Sequence, residues 1–272
     1  MSKPQHYRSI FISDLHLGTR EAKTRYLYDF LNESRCEQLY LVGDIFDLWK
    51  LRKGWYWPPL NNELLALVFR MARDGTRITY IPGNHDDMFR PYAGGNYNGV
   101  CLERETIHRA ADGRRYLVMH GDEFDGIMRH NRWLAYLGDG TYEVLLWLNH
   151  WFNAARRRFG LGYWSLSSYL KQQAKTAVNF IDNFEQVVCR EAERRDVDGI
   201  ICGHIHHAAM HSTGTCDYKN TGDWVESCTA LVENHRGHFS LLHYAGTQST
   251  LVSENPARAT DVATEPRPRR AA

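Results

Sequence analysis

The stretch Ser9-Ile10-Phe11-Ile12-Ser13-Asp14-Leu15-His16 reads as a short apolar strand that ends on two metal-ligand residues. Four more apolar runs end the same way, in Gly43-Asp44-Ile45-Phe46-Asp47, Gly83-Asn84-His85-Asp86, His120-Gly121-Asp122 and Gly203-His204-Ile205-His206. The preceding runs at 38–42, 77–81, 116–119 and 199–202 have strand-like character. Ligands of open α/β sheets gather at the carboxyl ends of strands. An Asp after a strand is by itself an ordinary turn or cap residue, and a lone His an ordinary core or surface residue. Repetition over the whole series is what points to one shared metal site.

Working outward, helical stretches at 21–34 and 61–73 alternate with the first three strands. This β-α-β-α-β rhythm implies a largely parallel sheet with helices on its faces, an α/β fold. After His120-Gly121-Asp122 the rhythm breaks, and residues 126–195 read as a helical insertion. Strand 199–202 resumes the sheet, followed by short strands near 208–211, 218–220, 229–233 and 238–243 that read as antiparallel. These assignments place one domain over 1–244, insertion included, and a disordered tail over 245–272, which is rich in Ala, Thr, Ser and Pro.

Within the insertion, Tyr142, Val144, Leu145, Leu146, Trp147, Leu148, Trp151 and Phe152 occupy an arc wider than a surface helix usually buries. Arg156 and Arg157 follow, and Lys171 and Lys175 lie one turn apart on a second helix. Two readings stand: an ordinary packed helical hairpin, or a cap offering an apolar slot to a lipid chain, with these four basic residues near phosphate or anionic headgroups. The aromatic loop Trp49, Trp55, Tyr56, Trp57 either stacks a base or packs the cap.

Bulk composition narrows the classes. The 272 residues carry a net charge of +1, so no global field advertises nucleic-acid binding. With 43% hydrophobic and 24% charged residues the chain is globular rather than disordered. The 6 cysteines form no C-x-x-C pair, which argues against a zinc ribbon and suggests reduced thiols. The amino terminus lacks a signal peptide and no apolar run is long enough to span a bilayer, so a cytoplasmic place is expected, in solution or peripheral on a membrane surface.

Two divalent cations a few ångströms apart can activate a water and stabilise both entering and leaving oxygens of a phosphoryl group. Asp44, ending a central strand, is the natural bridge. Asp14, His16 and His206 suit the first metal, and Asn84, His120 and His204 the second. Imidazole and carboxylate ligands without thiolate fit Mn²⁺, Fe²⁺ or Zn²⁺ better than Mg²⁺. His85 is expected to meet the substrate phosphate, as charge stabiliser or general acid, with Asp86 either orienting it or capping the next helix. Asp47, Asp122 and Asp223 are expected to hold ligand imidazoles or turns from behind.

The motifs D-x-H, G-D-x-x-D, G-N-H-D, H-G-D and G-H-x-H, in that order over about residues 8–245, resemble the calcineurin-like metallophosphoesterase superfamily. The resemblance implies a four-layer α/β/β/α sandwich and a dinuclear centre, often with Mn²⁺. It carries the ligand pattern onto Asp14, His16, Asp44, Asn84, His120, His204 and His206, and the motif histidine onto His85. Asp14-Leu15-His16-Leu17, Gly43-Asp44-Ile45-Phe46-Asp47 and the insertion after His120-Gly121-Asp122 are most similar to the UDP-2,3-diacylglucosamine pyrophosphatase branch. That branch hydrolyses a UDP-linked, doubly acylated glucosamine to UMP and a lipid sugar phosphate in lipid A synthesis. It carries arginine where this chain has His85, a departure that bears on substrate. The leading expectation is such a diphosphate hydrolase. The alternatives are a phosphomonoesterase or phosphodiesterase for another lipid-linked or nucleotide substrate, in which His85 protonates a leaving alkoxide, and a non-enzymatic membrane-surface adaptor.

Overall fold

A computed structural model of the chain describes residues 5–126, 166–214, 216–245 and 249–255. The strands are β1 (Gln5–Ile12), β2 (Ser34–Val42), β3 (Arg77–Ile81), β4 (Asn96–Tyr97), β5 (Val100–Leu102), β6 (Thr106–Arg109), β7 (Arg115–Val118), β8 (Gly199–Cys202), β9 (Ala209–Thr213), β10 (Cys216–Asn220), β11 (Thr229–Glu233), β12 (Phe239–Tyr244) and β13 (Ser249–Asn255). The described α-helices are α1 (Thr24–Glu33), α2 (Leu48–Lys53), α3 (Pro59–Arg73) and α4 (Leu166–Arg194).

Two sheets form. The larger has the order β13-β12-β11-β1-β2-β3-β5-β4 and the smaller β6-β7-β8-β10-β9. Strands β1, β2, β3 and β5 are parallel, as are β7, β8 and β10. Each parallel set therefore delivers its carboxyl ends to one edge.

Alternation along β1 shows how the layers arise. Ile10 and Ile12 join a core with Leu27 and Phe30 of α1 and Leu64 and Val68 of α3. Phe11, pointing to the other face, joins Tyr40, Val42 and Ile81 against Tyr116, Val118 and Ile201 of the smaller sheet. A strand buried on both faces calls for apolar residues at successive positions, which is why residues 10–12 show no polar alternation. Two sheets face to face, with helices outside the larger one, agree with the α/β/β/α sandwich that the resemblance implies.

Residues 123–190 form a compact unit of their own. Its described part comprises the end of the 3-10 turn over Asp122–Gly126 and most of α4. The wide apolar arc at 142–152, and Arg156 and Arg157, lie outside the described residues. Lys171 and Lys175 fall on α4, but their side chains lie outside as well.

Several expectations are corrected. Strand β10 runs parallel to β8, because the chain crosses to β9 at the sheet edge and returns between them. Strands β4, β5 and β6, two to four residues each, are too short to leave a periodic signal. The tail expected from 245 instead supplies β13, whose Thr250, Leu251 and Val252 favour extended backbone and pair antiparallel with β12. Cys36, Cys101 and Cys228 are free thiols, whereas Cys189 and Cys216 each take part in a disulfide, against the expectation of reduced thiols throughout.

Candidate metal centre

The turns after β1, β2, β3, β7 and β8 meet at one edge of the sandwich and carry every residue of the expected ligand set. Three groups of side chains converge there, each with ligand atoms within 4.8 Å of one another: Asp14, His16 and His206; Asp44, His120 and His204; and His16, Asp47 and His85. The first group is the set expected for the first metal, and the second joins the expected bridge Asp44 to His120 and His204, two of the three residues expected for the second metal. Asp44 lies between them, its Oδ2 3.3 Å from His120 Nε2 and 3.9 Å from His16 Nε2. His206 Nε2 stands 3.3 Å from both His16 Nε2 and Asp14 Oδ1.

Backbone geometry shows what this convergence demands. Asp14, His16, Asp44, His204 and His206 all have φ between 49° and 71°, a left-handed conformation unusual for residues with a side chain. Such strain persists where surrounding bonds over-determine it and concentrates at functional sites. Here Asp14 N–H donates to Gly43 C=O (3.0 Å), His16 N–H to Asp44 C=O (2.9 Å) and His204 N–H to Asp14 Oδ2 (3.0 Å). Two glycines permit the close approach. A Cβ on Gly83 would sit 2.3 Å from Asp44 Oδ1, and one on Gly203 2.5 Å from Asp14 Oδ2.

The donor chemistry fits divalent cations. Asn84 Oδ1 is buried without a hydrogen-bond partner, and Asp14 Oδ1 and His120 Nε2 meet only other candidate ligands, at 3.3 Å, an expensive arrangement for buried polar atoms unless something else binds them. His120 Nδ1–H donates to Val42 C=O (2.9 Å), which fixes the tautomer and leaves Nε2 as a ligand atom. Burial alone would raise the Asp14 carboxyl, but the facing His206, with His120 and His16 beyond, outweighs it and holds Asp14 well below the carboxylate range. Burial likewise opposes the His120 and His206 imidazoliums. Asp44 and Asp14 overcome it and lift His120 to about 10 and His206 to about 9. Buried carboxylates that draw protons onto neighbouring imidazoles are a field prepared for cations.

The supporting residues divide clearly. Asp47 sets Oδ2 3.3 Å from His16 Nδ1 and Oδ1 3.2 Å from His85 Nδ1, and accepts from Lys50 N–H (2.8 Å) at the start of α2. One carboxylate thus orients a ligand ring and the motif histidine together. Asp122 holds Arg90 (2.7 Å), which also donates to Pro82 C=O (3.3 Å) beside the Gly83-Asn84 turn. Asp223 accepts from the backbone N–H of Val225 (2.8 Å) and Glu226 (2.5 Å), so it holds a turn rather than a ring.

Asp86 is corrected. It neither orients His85 nor caps the next turn. Its oxygens accept from Ile45 N–H (2.7 Å), Phe46 N–H (3.1 Å), Gly83 N–H (2.6 Å) and the Tyr80 hydroxyl (2.6 Å). The carboxylate ties the turns after β2 and β3 to each other, and adjacency to His85 in the chain does not place the two side chains together. Replacing Asp86 by alanine strands four donors, at about 1–3 kcal/mol for each one left buried. We expect Asp86→Ala to lower stability by several kcal/mol, about 3–5 after relaxation, read as an early urea midpoint. A variant as stable as the parent would refute this role.

Two contributors escape the motif reading. The Trp49 ring lies against His85, with centroids 4.1 Å apart and planes tilted by 32°, and Asn220 donates to Gly203 C=O (2.8 Å), steadying the turn that carries His204. Asn220 ends a strand at the same edge as the ligands, a signal the sequence does offer. Nothing in it distinguishes Trp49 from the other aromatics of its loop.

The profile of the calcineurin-like phosphoesterases matches residues 7–208. The chain belongs to that family. This phosphoesterase is similar to the UDP-2,3-diacylglucosamine hydrolase of Pseudomonas paraeruginosa, 29% identical over 246 residues that cover 84% of this chain and 96% of the relative. It is also similar to the UDP-2,3-diacylglucosamine hydrolase of Vibrio cholerae, 26% identical with coverage of 86% and 96%. Among solved structures, the phosphoesterase Yfce of E. coli aligns with 91% of this chain and 97% of its own, at 12% identity and a TM-score of 0.47. Membership makes the chain a metal-dependent hydrolase of phosphoester or phosphoric anhydride bonds. Among the described residues no helix is long and apolar enough to cross a membrane.

Proposed function

We propose that this phosphoesterase cleaves the diphosphate of a UDP-linked acylated sugar, releasing UMP and a lipid sugar phosphate, at a dinuclear centre bridged by Asp44. The observation that carries the centre is the position of Asp44 Oδ2 between the two ligand groups. The likeness to two UDP-2,3-diacylglucosamine hydrolases over more than four-fifths of the chain supports the substrate class. When bound, two divalent ions, Mn²⁺ best matching the family and the N/O donors, supply the activated water and the charge that the phosphoryl transition state needs.

The chain's own part is positional. Asp14, His16 and His206 would hold one ion, and Asn84, His120 and His204 the other. Asp47 turns His16 and His85 so that each presents its Nε2 away from the carboxylate. Burial opposes charge on His85, but Asp47, followed by Asp44 and Asp14, raises its pKa above the ordinary imidazole value. A ring so placed donates a hydrogen bond to a non-bridging phosphoryl oxygen. With a diphosphate, charge suffices because the leaving phosphate needs no proton.

His85 also keeps a second reading alive, hydrolysis of a phosphoester whose leaving alkoxide takes the His85 proton. One experiment separates them. Product analysis with UDP-2,3-diacylglucosamine yields UMP if the first reading holds, and turnover falls when the acyl chains are removed. On that reading His85→Ala slows the diphosphate and an aryl phosphate to similar extents, about 10²-fold. Equal turnover of a deacylated substrate would refute the lipid part. A His85→Ala loss confined to poor leaving groups would favour the phosphoester.

A further inference from the structure

Beneath the turns that carry the metal ligands lies a cavity of about 520 Å³. Leu65 and Phe69 of α3, with Phe46, Met88, Phe89 and Val100, surround it, and the buried core residues Ile12, Leu41 and Tyr80 lie at its base. The sequence explains why it exists. Past His85-Asp86 the chain makes only a 3-10 turn over Asp87–Tyr92, with Pro91 inside it and Gly94-Gly95 close behind. Proline and paired glycines end helical structure, so no further helix covers β3 and β5. The cavity shares loops with the metal centre but no side chain: Leu15, Leu17 and Ile45 line it, while their neighbours Asp14, His16 and Asp44 face the ligand groups.

Its mouth is unusual in a second way. Ten large apolar side chains are exposed among the described residues, and four of them, Phe69, Met88, Tyr92 and Tyr97, line this one cavity. Single exposed apolar residues are ordinary, whereas a cluster around an opening is the mark of a binding site. The volume falls within the range of small-molecule pockets and is several times the ~150 Å³ that holds a benzene ring.

The lining selects the occupant. No charged residue contributes to it. The Tyr80 hydroxyl, the polar group of the floor, is already spent on Asp86 (2.6 Å). A peptide would bring in N–H and C=O groups with nothing to pair them, and ordered water would fare no better. A hydrocarbon chain needs no partners. The remaining polar atoms stand at the mouth, where Tyr97 donates to Tyr92 C=O (3.1 Å) and both rings are exposed. We infer that this cavity binds the alkyl chain of a single-chain amphiphile, such as a fatty acid, with its polar head left in water at Tyr92 and Tyr97. The inference is independent of the substrate proposed above.

The test is equilibrium binding of a fluorescent dodecanoate analogue to the full chain, with displacement by unlabelled dodecanoate. Saturable one-to-one binding is expected. Leu65→Trp and Val100→Phe, which enlarge two lining residues of α3 and β5, should weaken it at least about tenfold. Asp44→Asn should leave it unchanged. A dodecanoate carrying a photoreactive group at its methyl end should label the unsubstituted protein within residues 64–69 or 88–102, a readout that needs no variant. Absence of saturable binding, survival of binding in both filled variants, loss in Asp44→Asn or labelling confined to other segments would each overturn the site.

Discussion

Replacing Asp44 by asparagine lowers turnover by at least about a thousandfold and leaves the protein unable to retain a full pair of metal ions. The reasoning is geometric. Asp44 Oδ1 accepts the His85 N–H (2.8 Å), and Oδ2 faces the two ligand groups. Asparagine keeps an oxygen for His85, so the turn after β3 keeps its anchor. What disappears is the negative charge where two cations must approach each other. Loss of groups that merely support a ligand costs about 10–100-fold in affinity or activity; removal of a shared ligand exceeds that. Metal content by elemental analysis and turnover measured on the same sample provide the check. A variant that holds two ions and keeps a tenth of the activity would show that Asp44 is not the bridge. The deficit of Asp86→Ala, by contrast, lies in folding, because its carboxylate ties two turns together through four donors.

The contrast between these two aspartates marks how far the sequence could be read. Asp44 was legible because strand ends are counted easily: an apolar run, a glycine, then a donor, repeated until chance is a poor account. The parallel arrangement of β1, β2 and β3 was legible for a similar reason, since helices of ordinary length separate them. Asp86 was not. Its role depends on backbone N–H groups at positions 45, 46 and 83, brought to it by turns whose φ values no pattern announces. The left-handed φ of Asp14, His16, Asp44, His204 and His206 was equally hidden, because Asp and His carry only a weak preference for that region. The buried link between the sheets at the opposite end was missed altogether. There Glu233 accepts from Arg8 (2.8 Å), Ser9 (2.7 Å), His108 (2.9 Å) and Ala111 N–H (2.7 Å), a satisfied network whose members are far apart in the chain. Motifs report chemistry gathered at strand ends; they say little about what braces it.

Metal affinity should climb steeply with pH, by up to about two decades per unit between pH 7 and 9, and flatten above about pH 10. In the metal-free protein His120 is lifted to about 10 and His206 to about 9. Burial disfavours both imidazoliums, and the Asp44 and Asp14 carboxylates more than compensate. At neutral pH each ring therefore carries a proton that a cation has to displace, so loading the centre releases close to two protons. The sign for stability runs the same way. A folded-state pKa raised above the unfolded value of about 6.5 stabilises the metal-free fold fully below that pH, and the contribution is lost as pH rises through 9–10. Metal-free protein should thus melt progressively earlier from pH 7 to pH 10, while added Mn²⁺ should raise the melting temperature most at the alkaline end. Calorimetric titration in two buffers of different ionisation enthalpy counts the protons directly. His206→Gln should bring the count down to about one. Affinity that stays flat from pH 7 to 9, with no protons released, would mean that these two imidazoles do not yield their protons to the ions, and the ligand assignment of both would fall.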